Sequence, residues 1–137
     1  MPYVIKAHVP DVRAKVFVFT AMKTMYGGKH IAPGDTVFVF ASENEGGQGL
    51  VARGRVTAVE AVARKRGVMR QTPRVSVTVQ RDPRSPKRPL GRSDLKPFTD
   101  WKDGAPQTEL NFKFYRQATD KIARISEEAA AFLDEFF

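Results

Sequence analysis

Two groups of side chains in this sequence are of types that hold polyanions and bases. The first is cationic. Residues 64–92 carry ten Lys and Arg against one acid, Asp82. Arg64, Lys65 and Arg66 form a triplet, and Arg84, Lys87 and Arg88 sit in the proline-spaced run RDPRSPKRPLGR. Arg116 follows the last apolar run. Side chains of this kind suit phosphate contacts, which position a nucleic-acid backbone without reading its sequence; the plainer reading is a solvated charged surface. The second group is aromatic and polar. Trp101, Tyr115 and Phe98 fall in turn-rich sequence or at strand ends, where rings can stack on an extruded base. Asn111 and Lys113 alternate with apolar residues on the face of Tyr115 and are placed to meet a base edge. Ser42 closes the apolar run of residues 36–40 and is placed similarly. Core packing for Phe98 and Trp101, and simple exposure for the polar residues, account for them as well.

The residue types for catalysis are sparse. His8 and His30 stand 22 positions apart with no acid at metal-ligand spacing, so no metal site is expected. The segment Gly46-Gly47-Gln48-Gly49 lacks the Lys-Ser/Thr of a phosphate-binding loop and reads as a hairpin tip. No catalytic residue and no cofactor is assigned.

These groups must be positioned by strands. Pro33-Gly34-Asp35 is a tight turn, since proline presets φ and glycine takes positive φ. Residues 36–40 (TVFVF) are β-branched and aromatic throughout, with Phe38 and Phe40 on one face and Val37 and Val39 on the other. A strand apolar on both faces is central in a barrel or sandwich. Residues 42–49 are polar and Gly-rich, and residues 50–59 resume as a strand. Residues 3–9 alternate, with Tyr3, Ile5, Ala7 and Val9 opposite Val4, Lys6 and His8; Asp11 can cap a short helical turn after them. Residues 15–20 are a second apolar run. Residues 74–80 alternate cleanly, with Val75, Val77 and Val79 inward. Residues 81–92, with three prolines, form a loop, and residues 93–96 a single helical turn. Alternation over residues 110–115 predicts a last strand. Ser126 caps a C-terminal helix, favoured by Glu127 and Glu128 at its positive end. Its apolar stripe is Ala129, Phe132, Leu133, Phe136 and Phe137.

The 137 residues suit one domain over 1–137, and the formal net charge of +8 favours polyanionic partners. The chain has no cysteine, which fits a reducing cytoplasm. It shows no leader-like start and no apolar run long enough to cross a membrane. A cytoplasmic monomer without membrane contact is expected.

The order of these features resembles the PUA-like superfamily, above all its EVE and ASCH domains. The matching core residues are Gly34-Asp35, Ser42, Gly49 and Gly54-Arg55-Val56. Residues 74–80, Leu95-Lys96, Tyr115-Arg116-Gln117 and the helix of residues 126–137 follow in the order of the EVE type. The resemblance covers most of the chain. It departs where the family commonly carries tryptophan near the first strand: here Tyr3 and His8 hold that place, and the lone tryptophan is Trp101. The resemblance implies a mostly β (α+β) fold, a PUA-like β-barrel with peripheral short helices and a C-terminal helix packed on it. It also implies non-catalytic binding of nucleic acid, DNA or RNA, with one base, modified in the sharpest version, held in a barrel pocket. On that reading Trp101, Tyr115, Ser42, Asn111 and Lys113 meet the base. Arg64, Lys65, Arg66, Arg84, Lys87, Arg88 and Arg116 form the basic rim. Two alternatives stay open: a hydrolase of RNA or modified nucleosides, as among ASCH-type relatives, and a protein-interaction module using the C-terminal helix.

Overall fold

The computed structural model describes residues 1–63, 67, 73–115 and 119–137, with only the backbone of Tyr115. Arg64, Lys65, Arg66 and Arg116, all expected at the basic rim, therefore lie outside the described residues, as does the Tyr115 side chain.

Six strands close a barrel: β1 (Pro2–Ala7), β2 (Val16–Met25), β3 (Thr36–Ala41), β4 (Gly49–Ala61), β5 (Arg74–Arg81) and β6 (Lys121–Arg124). Their order around the barrel is β1-β3-β4-β5-β2-β6. β1 runs parallel to β3, from Pro2 opposite Thr36 to Ala7 opposite Ala41, and antiparallel to β6. β2 closes the ring, antiparallel to β5 and parallel to β6. Three short helices, α1 (Arg92–Leu95), α2 (Pro106–Leu110) and α3 (Glu127–Asp134), lie outside the ring.

Strand alternation divides the apolar residues into two cores. Tyr3, Ile5, Val37, Val39, Ala52, Val56, Val77, Val79 and Ile122, with Phe17, Phe19 and Met22, fill the barrel interior. Val4, Phe38, Phe40, Leu50 and Ala123 point outward and are covered by Leu95, Leu110, Phe114, Ala129, Leu133, Phe136 and Phe137. The two-faced run of residues 36–40 is thus central, as expected, with the valines inside and the phenylalanines under the helices. On β2, Val16 and Val18 stay exposed.

Two glycines are required by geometry. Gly34 has φ +94° in the turn before β3. Gly49 has φ +83°, and a Cβ there would lie 2.2 Å from the Leu90 carbonyl oxygen, so only glycine lets the 82–91 loop dock on β4. Ser126 caps α3 by accepting the Ala129 N–H, as the sequence predicts.

Two expectations are corrected. Residues 110–115 are not a strand: Pro106 opens α2, and the chain continues into a π-helical turn (Asn111–Tyr115). The alternating pattern LNFKFY fits both periods, and the pairing that decides is Leu110 with Phe114, buried together one turn apart. Asn111, Lys113 and Tyr115 therefore do not share a strand face. The last strand is instead β6, whose four residues are too few to show a period. Asp11 caps a single turn as expected: its side chain accepts the Arg13 N–H at 3.0 Å and its carbonyl the Ala14 N–H at 3.3 Å.

Leu133 is fully buried between α3 and the barrel. Leu133→Ala should cost about 2–5 kcal/mol in chemical denaturation. A loss below about 0.5 kcal/mol, the surface range, would show that α3 is not packed as described.

Candidate nucleic-acid interface

β1 ends at Ala7, and β3 ends beside it at Ala41. The Ser42 N–H donates to the Ala7 carbonyl at 2.8 Å, and the Ser42 carbonyl accepts from Glu45 and Gly47 at the start of a tight turn. The Ser42 backbone is thereby fully engaged, and its side chain continues the outward row of Phe38 and Phe40. Ser42 is 1% exposed, yet its Oγ has no hydrogen-bond partner among the described residues. Leaving a buried hydroxyl unpaired costs about 1–3 kcal/mol. The Thr119 Oγ1 is buried and unpaired as well. It lies two positions before Lys121, the register partner of Lys6, and so at the same end of β1.

Lys6 faces this region from β1, opposite Phe40. It is 4% exposed, and its Nζ lies 5.8 Å from the centre of the Phe114 ring, which packs on Phe40 at 4.6 Å. Burial pushes the Lys6 ammonium below its ordinary value; repulsion from Arg92 and Lys121 adds to this, and Glu43 opposes it. Glu43 is itself fixed by the start of α1, where its Oε1 accepts the Arg92 N–H at 2.7 Å. The end of β1 thus gathers two orphan hydroxyls, a buried ammonium, a carboxylate and two aromatic rings. Sequence reasoning placed Ser42 here and missed Lys6, Glu43, Arg92 and Thr119. The available signal was a lysine inside an otherwise apolar strand.

The other cations divide into committed and exposed ones. Arg53 binds Asp82 at 2.8 Å and Asp134 at 2.9 Å, with its guanidinium over the Phe137 ring. Burial works against its charge, but these bonds outweigh it and push its pKa up. The Arg84 N–H and the Arg53 guanidinium hold the Asp82 carboxyl below its usual range. Arg81 donates to the carbonyls of Ala14, Arg13, Asp82 and Pro83. Both arginines line a cleft of about 580 Å³ as structural struts, with Arg55 exposed at its edge. In the proline-rich loop Arg88 stacks on Phe136 at 4.0 Å and donates to the Glu135 carbonyl. Arg84 and Lys87 are exposed.

The residues expected to meet a base do not converge. Trp101 is 70% exposed in the turn before α2, so it is not core. Asn111 is buried, and its Nδ2 donates to the Phe98 carbonyl at 2.9 Å, pinning the 96–105 loop. Lys113 pairs with Glu109 at 3.2 Å and lines a 240 Å³ pocket with Met1, Pro2 and Tyr26. That pocket adjoins the start of β1, whereas Ser42 adjoins its end, roughly 17 Å away at about 3.3 Å per residue. Among the described residues no cluster of His, Cys, Asp or Glu could hold a metal ion, and no helix is long and apolar enough to cross a membrane.

No family model matches the chain, and no curated protein matches it significantly in sequence. Solved structures do match. The DUF55 domain of human thymocyte nuclear protein 1 superposes with a TM-score of 0.66 at 16% identity, covering 96% of this chain and 95% of that one. The human THYN1 protein in complex with DNA containing 5-methylcytosine gives 0.62 at 16% identity, covering 96% and 94%. ZmASCH from Zymomonas mobilis, in a mutant form, gives 0.53 at 12% identity, covering 98% and 96%. The fold is therefore that of the PUA-like barrels of EVE and ASCH type.

The state of Lys6 sets a pH dependence. Its folded pKa lies below the unfolded value of 10.5, so between the two the unfolded chain binds more protons and stability rises with pH. Lys6→Met lacks that contribution. The unfolding free energy of the native chain minus that of Lys6→Met should increase from neutral pH toward 10.5. A difference independent of pH would show that Lys6 is not held in this way.

Proposed function

We propose that this protein binds nucleic acid and reads one base, in its sharpest form a modified one, at the end of β1. The observation that carries this reading is the buried Ser42 hydroxyl, unpaired among the described residues, at the end of the strand pair whose β1 carries buried Lys6. A base edge offers the donors and acceptors that the hydroxyl lacks, and base reading by such polar groups beside aromatic walls is how extruded bases are held. The net charge of +8 supports a polyanionic ligand. The similarity to a barrel whose structure holds DNA with 5-methylcytosine supports DNA with that base as the first ligand to test. Arg84 and Lys87, exposed on the loop, serve the backbone in this reading, together with Arg64, Lys65, Arg66 and Arg116.

The hydrolase alternative has one observation in its favour, a lysine of lowered pKa at the same end of the β1–β3 pair as a serine. A serine nucleophile needs a base within hydrogen-bond reach, and among the described residues Ser42 Oγ has no hydrogen-bond partner. Binding is the better reading of this geometry. The interaction-module alternative is weakened because the apolar stripe of α3 is buried against the barrel.

Ser42→Ala removes a hydroxyl that has no partner among the described residues, so the fold should tolerate it. The probe is a single-stranded DNA oligonucleotide carrying one 5-methylcytosine, against the same strand with an abasic site there. The native chain should prefer the base-bearing strand. Ser42→Ala should lower that preference about 2- to 12-fold, the range of one neutral hydrogen bond, with abasic binding unchanged. An undiminished preference in Ser42→Ala would remove Ser42 from the site.

A further inference from the structure

The register of three strand pairs places four cations in one line. Lys6 on β1 is opposite Lys121 on β6. Lys121 is opposite Lys23 on β2, and Lys23 is opposite Arg74 on β5. Register partners point to the same face of a sheet, and each neighbour here identifies it. Val4 and Ala123 share the outward parity of Lys6 and Lys121 and lie in the outer core, while Ile122 lies inside. On β2 the alternation is reset by a bulge at Ala21, with φ 53°. Phe19 and Met22 therefore both point inward, and Lys23 falls outward. The bulge is held from β5, where the Ser76 Oγ accepts the Ala21 N–H and the Arg74 Nη1 donates to the Ala21 carbonyl at 2.8 Å.

Like charges directly opposite across strands are destabilising, and here three such pairs follow one another. The row grades from buried to open: Lys6 is buried, Lys121 half-buried, and Lys23 and Arg74 exposed. Burial pushes the Lys121 ammonium down, and repulsion from Lys23 adds to it. Glu43 acts on Lys6, and Asp120 stands exposed next to Lys121 in the chain. A line of cations that leads from a buried site to open surface has the form of a track for an extended polyanion.

We infer that the row Lys6–Lys121–Lys23–Arg74 is a phosphate track, along which one strand of nucleic acid runs across β1, β6, β2 and β5 to the site at Ser42. This inference rests on the base-reading function proposed above and adds the path of the backbone. Three interstrand gaps of about 4.8 Å span roughly 14 Å. The track is separate from the proline-rich loop, whose Arg88 is held by α3.

The test is the salt dependence of binding between about 50 and 200 mM salt. The probe is the same single-stranded 5-methylcytosine oligonucleotide. Lys23→Gln with Arg74→Gln removes the two exposed cations. The control, Arg13→Gln with Lys15→Gln, removes equal charge beside the opposite end of β2, where both residues are exposed. The track variant should flatten the slope of log Kobs against log salt by about 1.4, near 0.7 per lost phosphate contact, while the control keeps the native slope. Lys23→Gln alone, which leaves the Ala21 bulge bonds in place, should flatten it by about 0.7. If both doubles flatten the slope alike, or neither does, the track is wrong and base reading at Ser42 stands. If the native chain binds no oligonucleotide at the lowest salt, the function itself fails and the track with it.

Discussion

Everything in this structure depends on β1 being buried on both faces. All six of its residues are inaccessible. Tyr3, Ile5 and Ala7 belong to the barrel interior, while Val4 faces the outer core under the helices. Such a strand needs partners on both edges, and it has them: β3 in parallel and β6 antiparallel. Lys6 occupies a position on this strand where an apolar side chain would pack without penalty. An ionisable group kept there destabilises the fold unless something offsets its desolvation, and its lowered pKa is the signature of that penalty. Functional sites are where such penalties are retained.

The cations sort by what holds them. Arg53, Arg81 and Arg88 tie the 82–91 loop, the start of β2 and the end of α3 to one another through carboxylates, carbonyls and rings. They stabilise the fold and have little left to offer a ligand. The Lys6–Lys121–Lys23–Arg74 row is arranged differently: it places like charges side by side on the sheet, with Arg74 also holding the Ala21 carbonyl. Net charge alone does not separate these classes, because it counts a strut and a binding residue equally.

Much of the fold was legible in the sequence. The turn at Gly34, the two-faced β3, the alternating β5, the turn at α1 and the capped α3 each carry a local signal strong enough to survive tertiary context. What was not legible is equally specific. LNFKFY satisfies a strand period, and only the packing of Leu110 on Phe114 and the start at Pro106 decide for a helix. β6 is too short to show a period and owes its existence to pairing with β1 and β2. With β6 missed, Lys121 had no neighbours and the cation row was invisible. The candidate site was half legible. Ser42 stood out at the end of a strand. Lys6 read as an outward polar residue because its cover, Phe114, arrives from more than a hundred residues away. Asn111 and Lys113 were drawn to the site by the strand that did not form.

The most direct test of the account is a crystal structure of the chain with the 5-methylcytosine oligonucleotide. The account predicts one base at the end of β1, with a polar atom within hydrogen-bond distance, about 2.5–3.2 Å, of Ser42 Oγ. A strand bound at the Arg53 cleft or the Lys113 pocket, with Ser42 untouched, would contradict it.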